Sequence, residues 1–206
     1  VAGSQKGLML PPGLGFNAIS QQALSAAQEA RLPRSYWDWA PLLGDAERGF
    51  FPYTPATNLL FGLDEALKML LEEGLDQVFA RHLRFAHATR SAVTTWNIEV
   101  YCRDEEGHSP TLTAVLMPQG HDADQLRKMI LERFDLSLGT GLGPLQGKLF
   151  RIGHLGSIND LMLCGTLSGV EMGLDLAGVP HKKGGVQAAL NMLAVTSGHR
   201  KENTGA

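Results

Sequence analysis

Apolar residues fall at helical spacing through the middle of this chain and in short runs after it, and that change of period divides the sequence. Leu59, Leu60, Leu63, Leu67, Leu70 and Leu71 recur every three or four residues, which puts them along one helix face. Thr57 or Asn58 can cap that helix, because a short side-chain oxygen there accepts a free backbone N–H. Glu72-Glu73-Gly74 breaks the pattern, and a second amphipathic helix is predicted from about Leu75 to Trp96. Upstream, Phe16 to Ile19 reads as a short buried strand, and Ser20 caps a helix that ends before Pro33. Downstream, Ile98 to Tyr101 and Leu112 to Met117 read as strands joined by the polar loop Arg103 to Ser109. Asp122 caps a helix through Arg133 with Leu126, Met129, Ile130 and Phe134 inward. Leu136 to Leu138 and Lys148 to Ile152 read as further strands. A helix from Asn159 or Asp160 to about Leu176 carries Gly165, Gly169 and Gly173 every four positions, a spacing that allows close helix packing. The last helix is predicted over about Gly185 to Thr196, followed by a frayed polar tail. Strands and helices in alternation predict an α/β architecture. No internal repeat is visible.

Composition narrows the function. A chain of 206 residues can bury a substantial core. Its formal net charge of −3, with no basic stripe or arginine-rich arm, excludes a generic polyanion binder, so no nucleic-acid partner is expected. No apolar run approaches the ~20 residues that span a bilayer, so no membrane association is expected either. The opening residues lack the charged and apolar regions of a secretory signal. Cys102 and Cys164 lie far apart in apolar surroundings and read as buried thiols in a reducing compartment, which points to the cytoplasm. His82 and His87 lie five apart and do not share a helix face, so they read as surface histidines and no metal site is expected.

Three stretches carry candidate chemistry. Lys6 follows Ser4 and Gln5 and precedes Gly7, an apolar triplet and the turn Pro11-Pro12-Gly13. An ε-amine held this way can condense with an aldehyde once its surroundings favour the neutral form; an ordinary surface lysine is the alternative. Gly49 to Asn58 contains two prolines that force an extended path into a helix start, where hydroxyls and backbone amides suit phosphate; plain capping is the alternative. The aromatic cluster from Arg34 to Trp39 can cover a pocket or pack under a loop. Arg151 alternates with apolar neighbours in a strand. Its planar fork suits bidentate recognition of a carboxylate, with a structural ion pair as the alternative. His154 can line the same site or simply pack. Gly139 to Lys148 is not a phosphate loop, because Leu142 and Leu149 stand where that motif needs Gly and Ser or Thr. A mobile glycine-rich loop beside a binding site is expected instead.

Gly3-Ser4-Gln5-Lys6 with Pro11-Pro12-Gly13, Pro52-Tyr53-Thr54-Pro55, and Arg151-Ile152-Gly153-His154-Leu155-Gly156 occur in the order of, and together resemble, segments of class V pyridoxal-phosphate aminotransferases. The resemblance is to the serine–glyoxylate and alanine–glyoxylate branch, and it extends over nearly the whole chain. It implies the C-terminal half of a fold-type I enzyme, with residues 1–80 ending the large cofactor-binding domain and 81–206 forming a small C-terminal α/β domain. It implies pyridoxal 5′-phosphate as cofactor and Lys6 as the catalytic, cofactor-bearing lysine, with Gln5 and Ser4 reaching the cofactor's phosphate or ring. Thr54 and Tyr53 would bind the cofactor phosphate of the neighbouring subunit, in a homodimer with a shared active site. Phe51 is the other candidate for the tyrosine's place. Arg151 would anchor the carboxylate of the amino acid and 2-oxo acid substrates. The activity implied is transamination from L-serine to glyoxylate, giving hydroxypyruvate and glycine, with alanine–glyoxylate or serine–pyruvate exchange as alternatives. Other family contacts to the cofactor precede its lysine, so this chain alone is expected to turn over little or nothing. A non-catalytic dimerisation or interaction half is the remaining alternative. Desulfuration would need a reactive cysteine on a mobile loop, which neither cysteine provides.

Overall fold

The computed structural model describes residues 1–196, with only the backbone of Thr196. The polar tail expected to fray lies outside the described residues. The chain divides between Glu72 and Glu73 into two compact units.

In the first unit, β1 (Ala2–Gly3) pairs antiparallel with β2 (Gly15–Phe16), with Ala2 opposite Phe16 and Gly3 opposite Gly15. The strand expected over Phe16 to Ile19 is therefore shorter and only half-buried, because no neighbour pairs with the chain beyond Phe16. Ser20 then caps α1 (Gln21–Glu29), its hydroxyl accepting from the Ala23 N–H at 3.2 Å. A helix the sequence pattern did not predict, α2 (Trp39–Ala46), starts on Asp38, whose carboxylate accepts from the Ala40 N–H. The long α3 (Thr57–Glu73) begins where expected, but its leucine face is not a core: Ala66 is its one buried residue, and Leu71 is 71 % exposed.

The second unit owns the packed interior. Gly74 supplies the positive φ that turns the chain into α4 (Leu75–Thr95). Strands β3 (Glu99–Val100), β4 (Leu112–Leu116), β5 (Gly139–Thr140) and β6 (Leu149–Gly153) form an antiparallel sheet in the order β3-β4-β6-β5. Helices α5 (Ala123–Phe134), α6 (Asp160–Leu176) and α7 (Gly185–Thr196) complete the alternation of strand and helix. Phe85, Trp96, Leu126, Ile130, Phe150, Ile152, Leu163, Leu167 and Leu174 make the heart of one continuous core. Each fully buried side chain of this size contributes about 1.5–3 kcal/mol.

Two expectations shift. The strand placed at Leu136–Leu138 lies instead at Gly139–Thr140, because α5 ends on a left-handed Asp135 and the next residues cross to the sheet edge. Leu138 is buried in the core, and its carbonyl accepts from Arg127 Nε at 2.8 Å instead of from a strand. Of the three glycines on α6, Gly169 and Gly173 touch Leu136 and Ile130 so closely that a methyl group would collide, while Gly165 faces open space.

His82 is not a surface residue. It is buried, its Nδ1 donates to the Val78 carbonyl at 2.7 Å, and its Nε2 accepts from the Gly156 N–H at 3.1 Å. Arg81 donates to the Gly156 carbonyl at 2.8 Å and pairs with both oxygens of Glu73, while Arg84 grips both oxygens of Asp160. One turn of α4 thus fixes the path of the chain from β6 into α6. His87 is exposed, as expected.

Candidate active site

Lys6 is exposed at the tip of the β1–β2 loop, and the loop beneath it is fastened by hydrogen bonds that converge on one residue. Ser4 is the fastener. It is fully buried, its hydroxyl donates to the Pro11 carbonyl at 2.7 Å and accepts from the Leu14 N–H at 3.2 Å. Its backbone N–H and C=O bond Leu14 and Leu10, both at 3.1 Å, and Met9 N–H closes on the Lys6 carbonyl at 2.9 Å. Met9 holds a φ of 58°, a region that costs an ordinary residue about 1 kcal/mol or more, so the loop's shape is imposed by these bonds. Gln5 folds back across Gly3, where a Cβ would sit 2.7 Å from its Oε1.

The loop rests on α3. A Cβ on Gly13 would lie 2.5 Å from Leu59 Cδ1, and one on Gly62 would lie 2.7 Å from Leu10 Cδ2. The segment ending in Thr54-Pro55-Ala56 leads into the same helix, so the first two candidate stretches share one platform. Tyr53 packs against Tyr36 with ring centroids 5.0 Å apart, and Tyr36 meets Trp37 edge-on at 6.4 Å. The aromatic cluster therefore braces the Tyr53-Thr54 loop. Phe51, Tyr53 and Thr54 all remain exposed.

Arg151 lies in β6 between β4 and β5, opposite Ala114 on one side and Gly139 on the other. Its Nε donates to the Thr140 carbonyl at 2.8 Å. No carboxylate pairs with it among the described residues, so the ion-pair alternative is not what holds it. No hydrogen bond or ion pair is seen at its two terminal nitrogens among the described residues, and the strand that carries it is held on both sides. His154, three residues on, is a packing residue: it is buried, with Nδ1 donating to the Pro110 carbonyl at 3.1 Å and Nε2 accepting from the Thr113 hydroxyl at 3.0 Å. Burial pushes its pKa down to about 4, so the ring is neutral at pH 7.

The stretch Gly139 to Lys148 is not an open loop. Gly141 N–H donates to the Leu149 carbonyl at 3.2 Å, Gly147 C=O accepts from Ala123 at 2.8 Å, and the carbonyl of Leu145 lies against Gly141 where a side chain would be. Both cysteines are free and half-buried. Cys102 sits just past β3, its thiol toward the Asp104 carbonyl at 3.3 Å, and burial pushes the Cys164 thiol up. Sequence reasoning missed Gly139, Thr140, Asp124 and Arg127 around Arg151. The only signal was that Gly139 and Thr140 fall within hairpin reach of the arginine strand.

Comparison with known proteins gives these segments a context. No protein-family model matches the chain. It is 47 % identical over 199 residues to the serine–glyoxylate aminotransferase of Methylorubrum extorquens, covering 94 % of this chain and 50 % of that protein. It is 42 % identical over 190 residues to the L-aspartate–glyoxylate aminotransferase of Paracoccus denitrificans, covering 92 % of this chain and 48 % of that one. The pyridoxamine–pyruvate aminotransferase structure from Mesorhizobium loti superposes with a TM-score of 0.82 at 32 % identity, covering 92 % of this chain and 50 % of that one. The chain thus spans about half the length of the curated relatives it matches. Over almost every residue, the chain is thus similar in sequence and fold to about half of a class V, pyridoxal-phosphate-dependent aminotransferase.

Proposed function

We propose that the protein transfers the amino group of L-serine to glyoxylate, giving hydroxypyruvate and glycine, with pyridoxal 5′-phosphate as cofactor. The observation that carries this reading is Arg151: a strand-held guanidinium whose outer fork meets no acidic partner among the described residues. The names borne by relatives at 47 % and 44 % identity, both serine–glyoxylate aminotransferases, support the choice of substrates.

The residues present fit the cofactor. Lys6 offers an exposed amine on a fixed loop, which suits an aldehyde. The Thr54 hydroxyl, the Tyr53 phenol and the first-turn amides of α3 suit a phosphate, and in a homodimer they would serve the neighbouring subunit's site. Ser4 is engaged inside the loop, so its part is to set the height and direction of Lys6, with Gln5 beside it. When bound, the cofactor supplies the electron sink that makes the amino acid's Cα–H acidic. Lys6 Nζ would take the proton from serine's Cα and pass it on within that half of the exchange, and in the other half would deliver a proton to the carbon that becomes glycine's Cα. Arg151 would grip the carboxylate with both terminal nitrogens in each half of the exchange. Residues 1–80 then belong to the end of the large domain and 81–206 to the small one, and the enzyme works on glyoxylate in the cytoplasm. Its two free cysteines suit that compartment.

The test is a substrate panel on the full-length protein, with serine, alanine and aspartate as donors and glyoxylate and pyruvate as acceptors. Serine with glyoxylate should show the highest kcat/KM. A preference of tenfold or more for aspartate or alanine, on the order of 1.4 kcal/mol, would transfer the assignment to that donor.

A further inference from the structure

The start of α5 reaches over to the strand beside Arg151, and this contact has no part in the chemistry described above. Asp124, in the first turn of α5, accepts from the Thr140 hydroxyl at 2.9 Å and from Arg127 Nη1 at 2.8 Å. Arg127 Nε donates to the Leu138 carbonyl at 2.8 Å. The two-residue strand β5 is therefore pinned on both sides by one helix turn, at Leu138 and at Thr140. The helix turn is itself fixed, since Asp122 Oδ1 accepts from the N–H of Asp124 at 2.7 Å and of Gln125 at 3.2 Å. The Asp124 carboxyl is held below the usual carboxylate range, first by the Thr140 hydroxyl and, against partial burial, by Arg127, so it is charged at neutral pH.

What β5 presents to Arg151 is a carbonyl and a space. Thr140 C=O takes the Nε proton, which fixes the plane of the guanidinium and leaves both terminal nitrogens for a ligand. Gly139 sits directly opposite Arg151, and a Cβ there would lie 3.1 Å from Arg151 Cβ and 3.2 Å from its Nε. That is tighter than nearly all real Cβ contacts, so a larger residue here makes the arginine give by a few tenths of an ångström, against the bond its Nε makes to the Thr140 carbonyl.

We propose that Gly139, Thr140, Asp124 and Arg127 form a positioning cradle that sets the angle at which Arg151 meets the substrate carboxylate, and so set substrate affinity without touching substrate. This rests on the reading of Arg151 as the carboxylate receptor. A planar fork pays off only when both nitrogens meet both oxygens, so a small rotation weakens binding in ground and transition states alike. The signature is a change in KM with little change in kcat.

The experiment uses the full-length protein in Thr140→Val, Thr140→Ser, Gly139→Ala, Arg151→Ala and the Thr140→Val/Arg151→Ala double variant. Steady-state kinetics are paired with calorimetric titration of glycerate, a 2-hydroxy acid that carries the carboxylate but no reactive amine. Thr140→Val and Gly139→Ala should each raise KM and the glycerate Kd about five- to tenfold with kcat within about twofold, and Thr140→Ser should stay near the parent. Arg151→Ala should raise both about 100-fold, and adding Thr140→Val to it should change nothing more. If Arg151→Ala weakens binding but Thr140→Val and Gly139→Ala do not, the cradle is wrong and the carboxylate receptor stands. The cradle also fails if Thr140→Val costs as much with Arg151 absent, since the loss would then be general to the fold. If Arg151→Ala leaves glycerate binding unchanged, the receptor reading itself falls, and the cradle with it.

Discussion

The two units of this chain differ in what holds their candidate residues in place. In Val1–Glu72 only Ser4 and Ala66 are buried, while Trp37, Phe50, Phe51, Tyr53, Phe61 and Leu71 are exposed. Lys6 owes its position to a net of hydrogen bonds around one serine and to the face of α3. In the unit that follows, Arg151 rides on a strand whose neighbours Phe150 and Ile152 are completely buried. The same chain thus mounts its amine on a hydrogen-bonded loop and its guanidinium on a packed core. The first unit thus exposes much apolar surface over almost no core, whereas the second, which also exposes Phe79 and Leu161, has a continuous core beneath.

That difference is open to attack. Phe150→Ala should cost about 3–5 kcal/mol, because the core around it cannot collapse, while Phe61→Ala, at a side chain 77 % exposed, should stay within about 0.5 kcal/mol. Urea midpoints of the two variants decide it. Equal losses would mean that the first unit has a core of its own.

A smaller effect comes from acid. Above pH 6.5 His154 is neutral both folded and unfolded, and the fold keeps its full stability. As pH falls from 6.5 toward about 4, the unfolded chain takes a proton that the folded chain refuses, and stability drops by up to about 3 kcal/mol. Below that both states are charged and the loss levels off. His154→Gln should remove this part of the pH dependence, read as the difference between parent and variant urea midpoints at pH 7, 5.5 and 4. An unchanged slope would mean the ring titrates normally and is not held between Thr113 and Pro110.

Most of the helical framework was legible in the sequence because its signals are local. Ser20, Asp122 and Asn159 each accept the N–H bonds that a cap should accept, within three residues of themselves. What escaped acts at a distance. Glu171 on α6 accepts from Gly184 at 2.8 Å and Val186 at 2.9 Å to cap α7, and also holds Trp96 Nε1 at 2.8 Å. No residue next to α7 announces that. His82 looked like a surface residue because its acceptor role depends on a glycine N–H that arrives from β6's far end. The candidate site divides the same way. Lys6, Thr54 and Arg151 are visible as residue types in family-like segments. The engagement of Ser4 within its loop and the cradle at Gly139 and Thr140 are cross-strand facts that no spacing encodes.

The assignment of Lys6 is tested most directly by trapping. The full-length protein is incubated with pyridoxal 5′-phosphate, reduced with borohydride, digested and mapped by mass spectrometry. The expected result is a single phosphopyridoxyl group on Lys6, with Lys6→Ala carrying none and showing no turnover. A label on another lysine, or full activity in Lys6→Ala, would contradict it.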